Sequence, residues 1–222
     1  MDHDIVRSLV QTIELKDHST AAHTWRVVLY TRALAERKQA DKALVERLTV
    51  AAALHDIGKI EIPDGILTKP GGLTDEEYAV IQTHTTLGHE RLVRMGETDP
   101  VLLNLVRHHH ERWDGAGYPD GLAGEDIPLG PRMFAVIDTF DALTSVRPYR
   151  KEIGEDAAER ALSILSDGAG TRYWPDAVDA FTEMYRTGQL GWILHYFNDE
   201  VPVPGFLEGD AGDAPLPGRA PL

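Results

Sequence analysis

The sequence predicts an all-α protein, and three observations support that prediction. Apolar residues recur at helical spacing through most of the chain, up to a final segment rich in proline and glycine. No stretch shows the sustained apolar and polar alternation that is typical of half-buried strands. Helix-start signals precede several of the apolar runs. The composition, 42% hydrophobic and 26% charged, is ordinary for a globular domain.

The clearest helices begin at recognisable capping residues. Asp41 is a good N-cap for a helix that the apolar spacing predicts over about 41–58. Thr74 begins a capping box and is expected to open a helix that runs over about 74–95. His84 would then lie in the middle of that second helix.

A long loop is expected over 111–130, because this segment is rich in Gly, Pro and Asp. Ordered loops of such length are uncommon and are often functional. The remaining helices are predicted around 102–109, from Pro131 past Asp141, over 155–166 and over 175–187. We interpret 1–195 as one domain and 196–222 as a tail that is too rich in Pro and Gly to fold.

The charge of the chain limits its partners. Lys and Arg number 22 against 36 Asp and Glu, which gives a net charge of -14. A broad basic surface for DNA or RNA is therefore not expected. An anionic substrate would need concentrated local positive charge, which metal ions could supply.

Compartment signals are few. The chain has no cysteine, which excludes disulfides and thiolate-bound metal clusters. Its first residues lack the basic and apolar regions of a signal peptide. No apolar run approaches the roughly 20 residues that cross a bilayer. We expect a cytoplasmic protein without membrane contact.

Adjacent His55 and Asp56 form the first candidate metal-binding motif. Imidazole nitrogen and carboxylate oxygen together suit divalent transition metals. Neighbouring helical residues point about 100° apart, so both can reach one ion near a helix end. Lys59 lies four residues after His55 and three after Asp56, so its ammonium can reach the same cavity.

A single His-Asp pair is more often structural than functional, so the prediction depends on other residues. Several further histidines and an aspartate lie on or beside predicted apolar helix faces. Burying these polar groups without partners would cost several kcal/mol each, whereas metal coordination removes that cost. They are His23, His84, His109, His110 and Asp138.

Two motifs carry a family resemblance. The residues His55–Lys59 (HDIGK) resemble the HD motif of the HD phosphohydrolase superfamily, and His109–Pro119 (HHERWDGAGYP) resembles the signature of its HD-GYP branch. The resemblance extends over about 15–185 and includes the blocks Asp141–Ser145 and Arg147–Arg150.

The resemblance implies an HD-domain helical bundle with additional C-terminal helices. It also implies hydrolysis of the 3′–5′ phosphodiester bonds of cyclic di-GMP, to pGpG or GMP, by a bridging hydroxide at a two-metal centre. Family members commonly use iron or manganese, and the imidazole and carboxylate ligands suit either metal. The metal ligands implied by position are His23, His55, Asp56 and Asp138 for one ion and Asp56, His84, His109 and His110 for the other.

Other roles also follow from the resemblance. Lys59 matches the catalytic lysine and Asp56 the bridging ligand. Some family members have a third metal, supported by an acidic residue one turn before the first histidine; Ser19 occupies that position here, so we expect two metals. The residues expected to contact substrate are Arg147, Arg150, Asp141, Gly117, Tyr118 and Pro119.

Several alternatives remain open. The chain could be a cyclic di-GMP receptor with little catalysis, a phosphodiesterase for another dinucleotide such as cyclic GMP-AMP, or a structural adaptor. The two arginines could be surface partners of acidic residues, and the glycine-rich loop could be a structural turn. Contact of that loop with GGDEF-domain proteins and formation of a homodimer are further expectations.

Overall fold

A computed structural model describes residues 3–17, 21–145 and 156–197 of the chain. Ser19, Arg147 and Arg150 lie outside these ranges, as does the predicted tail from 198 onward. The described residues form α-helices and two short 3₁₀ helices, and they contain no β-sheet, only two isolated bridges. The predicted all-α class is thereby confirmed.

The helices follow one another with mostly short connections. The two 3₁₀ helices are Ile57–Glu61 and Gly124–Asp126. The α-helices are α1 (His3–Asp17), α2 (Ala21–Arg37), α3 (Lys42–Ala53), α4 (Asp64–Leu67), α5 (Asp75–Gln82), α6 (His84–Arg94), α7 (Pro100–His108), α8 (Leu129–Thr144), α9 (Ala157–Asp167), α10 (Pro175–Arg186) and α11 (Gly191–Tyr196).

Helices α2, α3, α7 and α8 form the centre of the bundle. Helix α2 packs against α3 and α8, and α7 packs against α3 and α8. Tyr30, Leu48, Phe134 and Phe140 are almost fully buried between them. Burial of each Leu or Phe side chain contributes roughly 1.5–3 kcal/mol, so this core fixes the helices that carry the polar site.

Outer helices complete the fold. Helix α6 packs on α7 and on the 3₁₀ helix 57–61, which α1 also contacts. Helices α9 and α10 pack on α8, and α11 packs on α2. Phe197 is buried and stacks on Trp25 with ring centroids 5.4 Å apart, so the folded part reaches at least this residue.

The predicted capping residues are confirmed. The Asp41 carboxylate accepts a hydrogen bond from the Leu44 backbone at 2.8 Å. Thr74 and Glu77 form the reciprocal capping box at the start of α5. Such caps stabilise a helix by about 1 kcal/mol. Local sequence signals therefore gave these two helix starts correctly.

Two predicted helix ends were wrong. The helix predicted over 41–58 ends at Ala53, so His55 lies beyond it in a turn. The helix predicted over 74–95 is interrupted at Thr83, and His84 is the first residue of α6 instead of a mid-helix residue. The Thr83 hydroxyl donates to the Val80 carbonyl at 2.6 Å at this break.

Within the described ranges, none of the helices combines the length and the apolar character needed to cross a bilayer.

Candidate metal centre

The turn that follows α3 presents His55 and Asp56 to the interior. It leads into the 3₁₀ helix 57–61, where Gly58 lies against α6. A Cβ atom on Gly58 would lie 1.8 Å from the His84 carbonyl oxygen, which only glycine avoids. This close approach brings the start of α6, and with it His84, to the His-Asp turn.

Two groups of ligand atoms result, and all of their residues are buried except the half-buried His110. In the first group, which comprises His23, His55 and Asp56, one ligand atom from each residue lies within 4.8 Å of the others. The second group comprises His84, His109 and His110 and meets the same limit. Helices α2 and α6 and the turns that follow α3 and α7 supply these side chains. Five predicted ligand histidines and one aspartate thus meet in one region.

Asp56 lies between the two groups and directs one oxygen to each. Its Oδ2 lies 3.1 Å from His55 Nε2, and its Oδ1 lies 3.5 Å from His84 Nε2 and 4.0 Å from His109 Nε2. Lys59 Nζ lies 2.8 Å from Oδ2. A carboxylate placed in this way can be a ligand to two cations at once.

The histidine tautomers can be read from the backbone. The Nδ1 atoms of His55 and His84 lie 2.8 and 2.7 Å from the carbonyl oxygens of Ala52 and Ile81. His109 Nδ1 lies 3.0 Å from the Val106 carbonyl. Because a carbonyl can only accept, each Nδ1 carries the proton, and in the neutral ring Nε2 carries the lone pair.

The second group therefore suits a cation. Nε2 of His84 and Nε2 of His109 face each other at 3.2 Å. Two lone pairs cannot form a hydrogen bond with each other, whereas a divalent ion accepts both. Orientation of a ligand imidazole through its other nitrogen is the usual arrangement in metal sites. The residues present thus fit divalent metal ions.

Burial and charge act differently on the two groups. Burial lowers the pKa of His84, and it lowers that of His109 further, with help from His110 and His84. Burial and then His84 lower the pKa of His110 to about 4. In the first group, burial also acts to lower the pKa of His55, but the Asp56 carboxylate outweighs it and the net pKa is raised.

Asp138 lies near both groups without belonging to either. It is half-buried on α8 and is close enough to act electrostatically on His55 and His110. Its position agrees with the predicted helix face. The two groups therefore contain six of the seven predicted ligands, and Asp138, the seventh, lies beside them.

Asp141, predicted to contact substrate, is placed elsewhere. Its side chain is 0% exposed, and its Oδ2 lies 2.8 Å from His23 Nδ1. Arg26, itself 1% exposed, donates to the same carboxylate and, through Nη2, to Ser145 Oγ at 2.7 Å. A carboxylate with no exposed surface cannot meet a ligand from solvent, so its position suits orientation of His23.

The loop predicted from its glycines lies against the second group. The Tyr118 and His110 ring centroids are 4.9 Å apart. Gly117 passes directly over the backbone of Glu111 and Arg112, and Pro119 follows a cis peptide bond. Tyr118 therefore lies beside the candidate ligands, whereas the predicted Arg147 and Arg150 fall outside the described residues.

Two residues were missed by sequence reasoning. Arg26 lies three residues after His23 on the buried face of α2, and an arginine on an apolar helix face was the available signal. Glu111 directly follows His110 and is buried at 3% exposure. Both support candidate site residues and neither belongs to the two ligand groups.

The fold and the site together define a class: helical proteins with neighbouring His/Asp groups that can hold divalent metals. The HD domain family matches residues 7–177. The chain belongs to this family, and its glycine-tyrosine-proline motif resembles that of the HD-GYP branch.

Known relatives share this region. A cyclic di-GMP phosphodiesterase of Thermotoga maritima is 40% identical over 186 residues, which cover 82% of this chain and 49% of the relative. A 3′3′-cGAMP-specific phosphodiesterase of Vibrio cholerae is 40% identical over 181 residues, 81% of this chain and 34% of the relative. The chain spans about half or less of the length of these relatives.

A solved structure shows the same fold. The structure of a cyclic GMP-AMP specific phosphodiesterase from V. cholerae superposes with a TM-score of 0.64 at 17% identity. The superposition covers 84% of this chain and 49% of that one.

Proposed function

We propose that this chain hydrolyses the 3′–5′ phosphodiester bonds of cyclic di-GMP at a centre of two divalent metal ions. The observation that carries the proposal is the placement of Asp56, whose two carboxylate oxygens face two separate histidine groups. The activity named for the T. maritima relative supports the choice of substrate.

The ligand assignment follows the two groups. His23, His55 and Asp56, with Asp138 beside them, would hold one ion, and Asp56 would share a second ion with His84, His109 and His110. Imidazole and carboxylate together suit iron or manganese. When bound, such ions would stabilise phosphoryl charge and provide an activated water.

The chain contributes further groups to the reaction. During hydrolysis, a water oxygen bonds to phosphorus while the bond from phosphorus to the 3′-oxygen breaks, and the departing oxygen takes up a proton. Lys59 is held at the centre by Asp56, where its ammonium can offset phosphate charge or provide that proton. Tyr118, beside His110, lines the same region.

Local cations reconcile an anionic substrate with a net charge of -14. Metal ions and Lys59 would attract the phosphates inside an otherwise acidic chain. Arg147 and Arg150 remain predicted phosphate contacts. The cytoplasmic location, a GGDEF-domain partner, a homodimer and the choice of pGpG or GMP as product also remain predictions.

A second substrate is supported by a specific observation. The V. cholerae relative named for 3′3′-cGAMP is as similar to this chain as the one named for cyclic di-GMP. Cyclic GMP-AMP is therefore the alternative substrate. A pure receptor is less favoured, because the described residues retain both ligand groups.

The test uses protein purified without oxygen. Its metal content would be measured by elemental analysis, and its hydrolysis of cyclic di-GMP and 3′3′-cGAMP would be compared before and after chelation. We expect about two equivalents of iron or manganese per chain and faster turnover of cyclic di-GMP, with loss of both activities on chelation. Faster turnover of 3′3′-cGAMP would select the alternative, and tight binding without turnover would select the receptor.

A further inference from the structure

We propose that Glu111 is a positioning residue that fastens the loop Gly115–Leu122 to the end of α7 and thereby holds Tyr118 against His110. This inference rests on the proposed function, because the position of Tyr118 matters to the reaction only if a ligand is processed at the adjacent centre.

The first evidence is the use of both carboxylate oxygens. Glu111 Oε1 accepts a hydrogen bond from the Asp120 backbone N–H at 2.7 Å, and Oε2 accepts one from the Leu122 backbone N–H at 3.1 Å. The residue is only 3% exposed. Buried carboxylates are rare without such partners, and hydrogen bonds to a charged group are stronger than those between neutral groups.

The path of the loop explains why this anchor acts on Tyr118. The loop folds back at Gly117, where a Cβ would lie 2.3 Å from the Arg112 nitrogen and 2.6 Å from the Glu111 Cα. The next residue, Tyr118, donates its backbone N–H to the His110 carbonyl at 3.3 Å. Tyr118 is thus fixed on one side by His110 and on the other by the segment that Glu111 holds.

The consequence concerns the Tyr118 side chain. Its ring is tilted by 33° against the His110 ring at 4.9 Å between centroids. Its phenol carries an O–H group that can donate a hydrogen bond. A donor held at this place can contact a ligand that reaches the second histidine group.

A second, outer anchor holds the same loop but has a different character. Arg107 donates to both oxygens of Asp120 at 2.8 and 2.7 Å, and His108 Nε2 lies 2.9 Å from Asp120. The Asp120 side chain is 35% exposed, so water can replace these partners. The buried Glu111 has no such substitute, which makes it the stronger determinant of loop position.

A side chain of this length with two accepting oxygens satisfies both backbone donors. In Glu111→Gln the side-chain amide NH₂ would face one of the two backbone N–H groups. That hydrogen bond would be lost, because both facing groups are donors. The change alters neither size nor any candidate metal ligand. It therefore separates loop position from metal binding.

The experiment compares the wild-type chain with Glu111→Gln, Tyr118→Ala and the double variant. Glu125→Gln is the matched control, since this exposed acid lies in the 3₁₀ helix that follows the loop. Metal content, kcat/KM for cyclic di-GMP and hydrogen exchange of the 115–122 peptide would be measured. Glu111→Asp, which keeps both oxygens but shortens the side chain by one methylene, is the second variant if Glu111→Gln does not fold.

We expect Glu111→Gln to retain its metal and to lose activity by roughly 10- to 100-fold, the range for a displaced active-site group. Exchange in 115–122 should quicken by about tenfold, which corresponds to one lost charged hydrogen bond. In the Tyr118→Ala background, Glu111→Gln should cost less than about twofold more, because both changes remove the same contact.

Three outcomes would overturn the proposal. They are unchanged exchange in 115–122, wild-type activity of Glu111→Gln, and losses that multiply in the double variant. A wild-type chain that binds metal but hydrolyses no cyclic dinucleotide would instead contradict the proposed function. The exchange measurement would still decide whether Glu111 holds the loop.

Discussion

The two histidine groups differ in how their charge is balanced. In the first, the Asp56 carboxylate raises the pKa of His55 against the opposing effect of burial. In the second, burial and neighbouring imidazoles lower the pKa values of His84, His109 and His110. The first group thus combines imidazoles with an anionic carboxylate. The second group consists of neutral imidazoles, and the anionic ligand proposed for it is the Asp56 carboxylate that it shares with the first group.

The groups also differ in what orients their ligands. His23 is oriented by the side chain of Asp141, which Arg26 holds in turn. His84 and His109 are oriented by backbone carbonyls near the ends of α5 and α7, as His55 of the first group is by the Ala52 carbonyl. A side-chain support can be changed by one substitution, whereas a backbone support persists as long as the helices do. The first group should therefore be adjustable by substitution behind the ligand, and the second should not.

The largest effect is expected where the groups meet. Asp56→Ala removes a ligand from both, so we expect loss of both metals and a fall in hydrolysis of more than about 10³-fold, the upper range for loss of one electrostatic contact in an active site. Elemental analysis and a hydrolysis assay would measure this. Asp126→Ala, which changes an exposed acid on the nearby loop, is the control. Retention of both metals in Asp56→Ala would show that Asp56 does not join the groups.

Removing a ligand from the second group alone should have a smaller effect on metal content. We expect His84→Ala to bind about one metal ion where the wild type binds about two, because the ligands of the first group are untouched. Hydrolysis should fall strongly, since both ions would act on the same phosphate. His89→Ala, five residues further along α6, is the matched control. Loss of both ions together would show that the groups bind cooperatively.

The first group can be weakened from behind. Asp141→Asn keeps the volume of the side chain but removes its charge, and we expect about 10- to 100-fold weaker metal binding at the first group, the range for loss of a supporting carboxylate. Arg26 would keep a buried charge without its anion, so unfolding should become easier by on the order of 3–5 kcal/mol. Metal titration and denaturant unfolding would measure these effects separately.

If Asp141→Asn weakened metal binding at both groups to the same extent, the proposed difference in how their ligands are supported would be contradicted. Circular dichroism before titration would show whether the variant retains its helices.

Sequence reasoning succeeded where the signal is local. The N-cap Asp41 and the capping box at Thr74 depend on residues within one helical turn, and the structure confirms both. The side chains that form the two ligand groups were also identified from the sequence, four of them through the two quoted motifs and His23 and His84 through their positions in the family resemblance. Their assignment as ligands remains a prediction.

Sequence reasoning failed where distant segments decide the outcome. The chain leaves the helix at Ala53 as it turns toward α6, where Gly58 lies against His84, a contact that helical periodicity does not encode. Asp141 was predicted to contact substrate. Its burial behind His23 depends on how α2 and α8 pack, and the sequence alone does not show that packing. Arg26 was overlooked for the same reason.

The smallest expected effect is the loss of stability at low pH in the loop beside the second group. Hydrogen bonds from Arg107 and, less strongly, His108 lower the pKa of Asp120 to about 2, below its ordinary value. A carboxyl with a depressed folded-state pKa stabilises the fold above its unfolded pKa, near 4, and this stabilisation is lost as the pH falls toward 2. Because the side chain is 35% exposed, we expect the pair to contribute less than about 1 kcal/mol.

Unfolding by denaturant between pH 2 and pH 5 would show a slightly weaker pH dependence in Asp120→Asn than in the wild type, and Asp126→Asn would serve as the control. Equal pH dependence in Asp120→Asn and the wild type would mean that the outer anchor adds nothing, and that the loop beside the second group depends on its buried contacts alone.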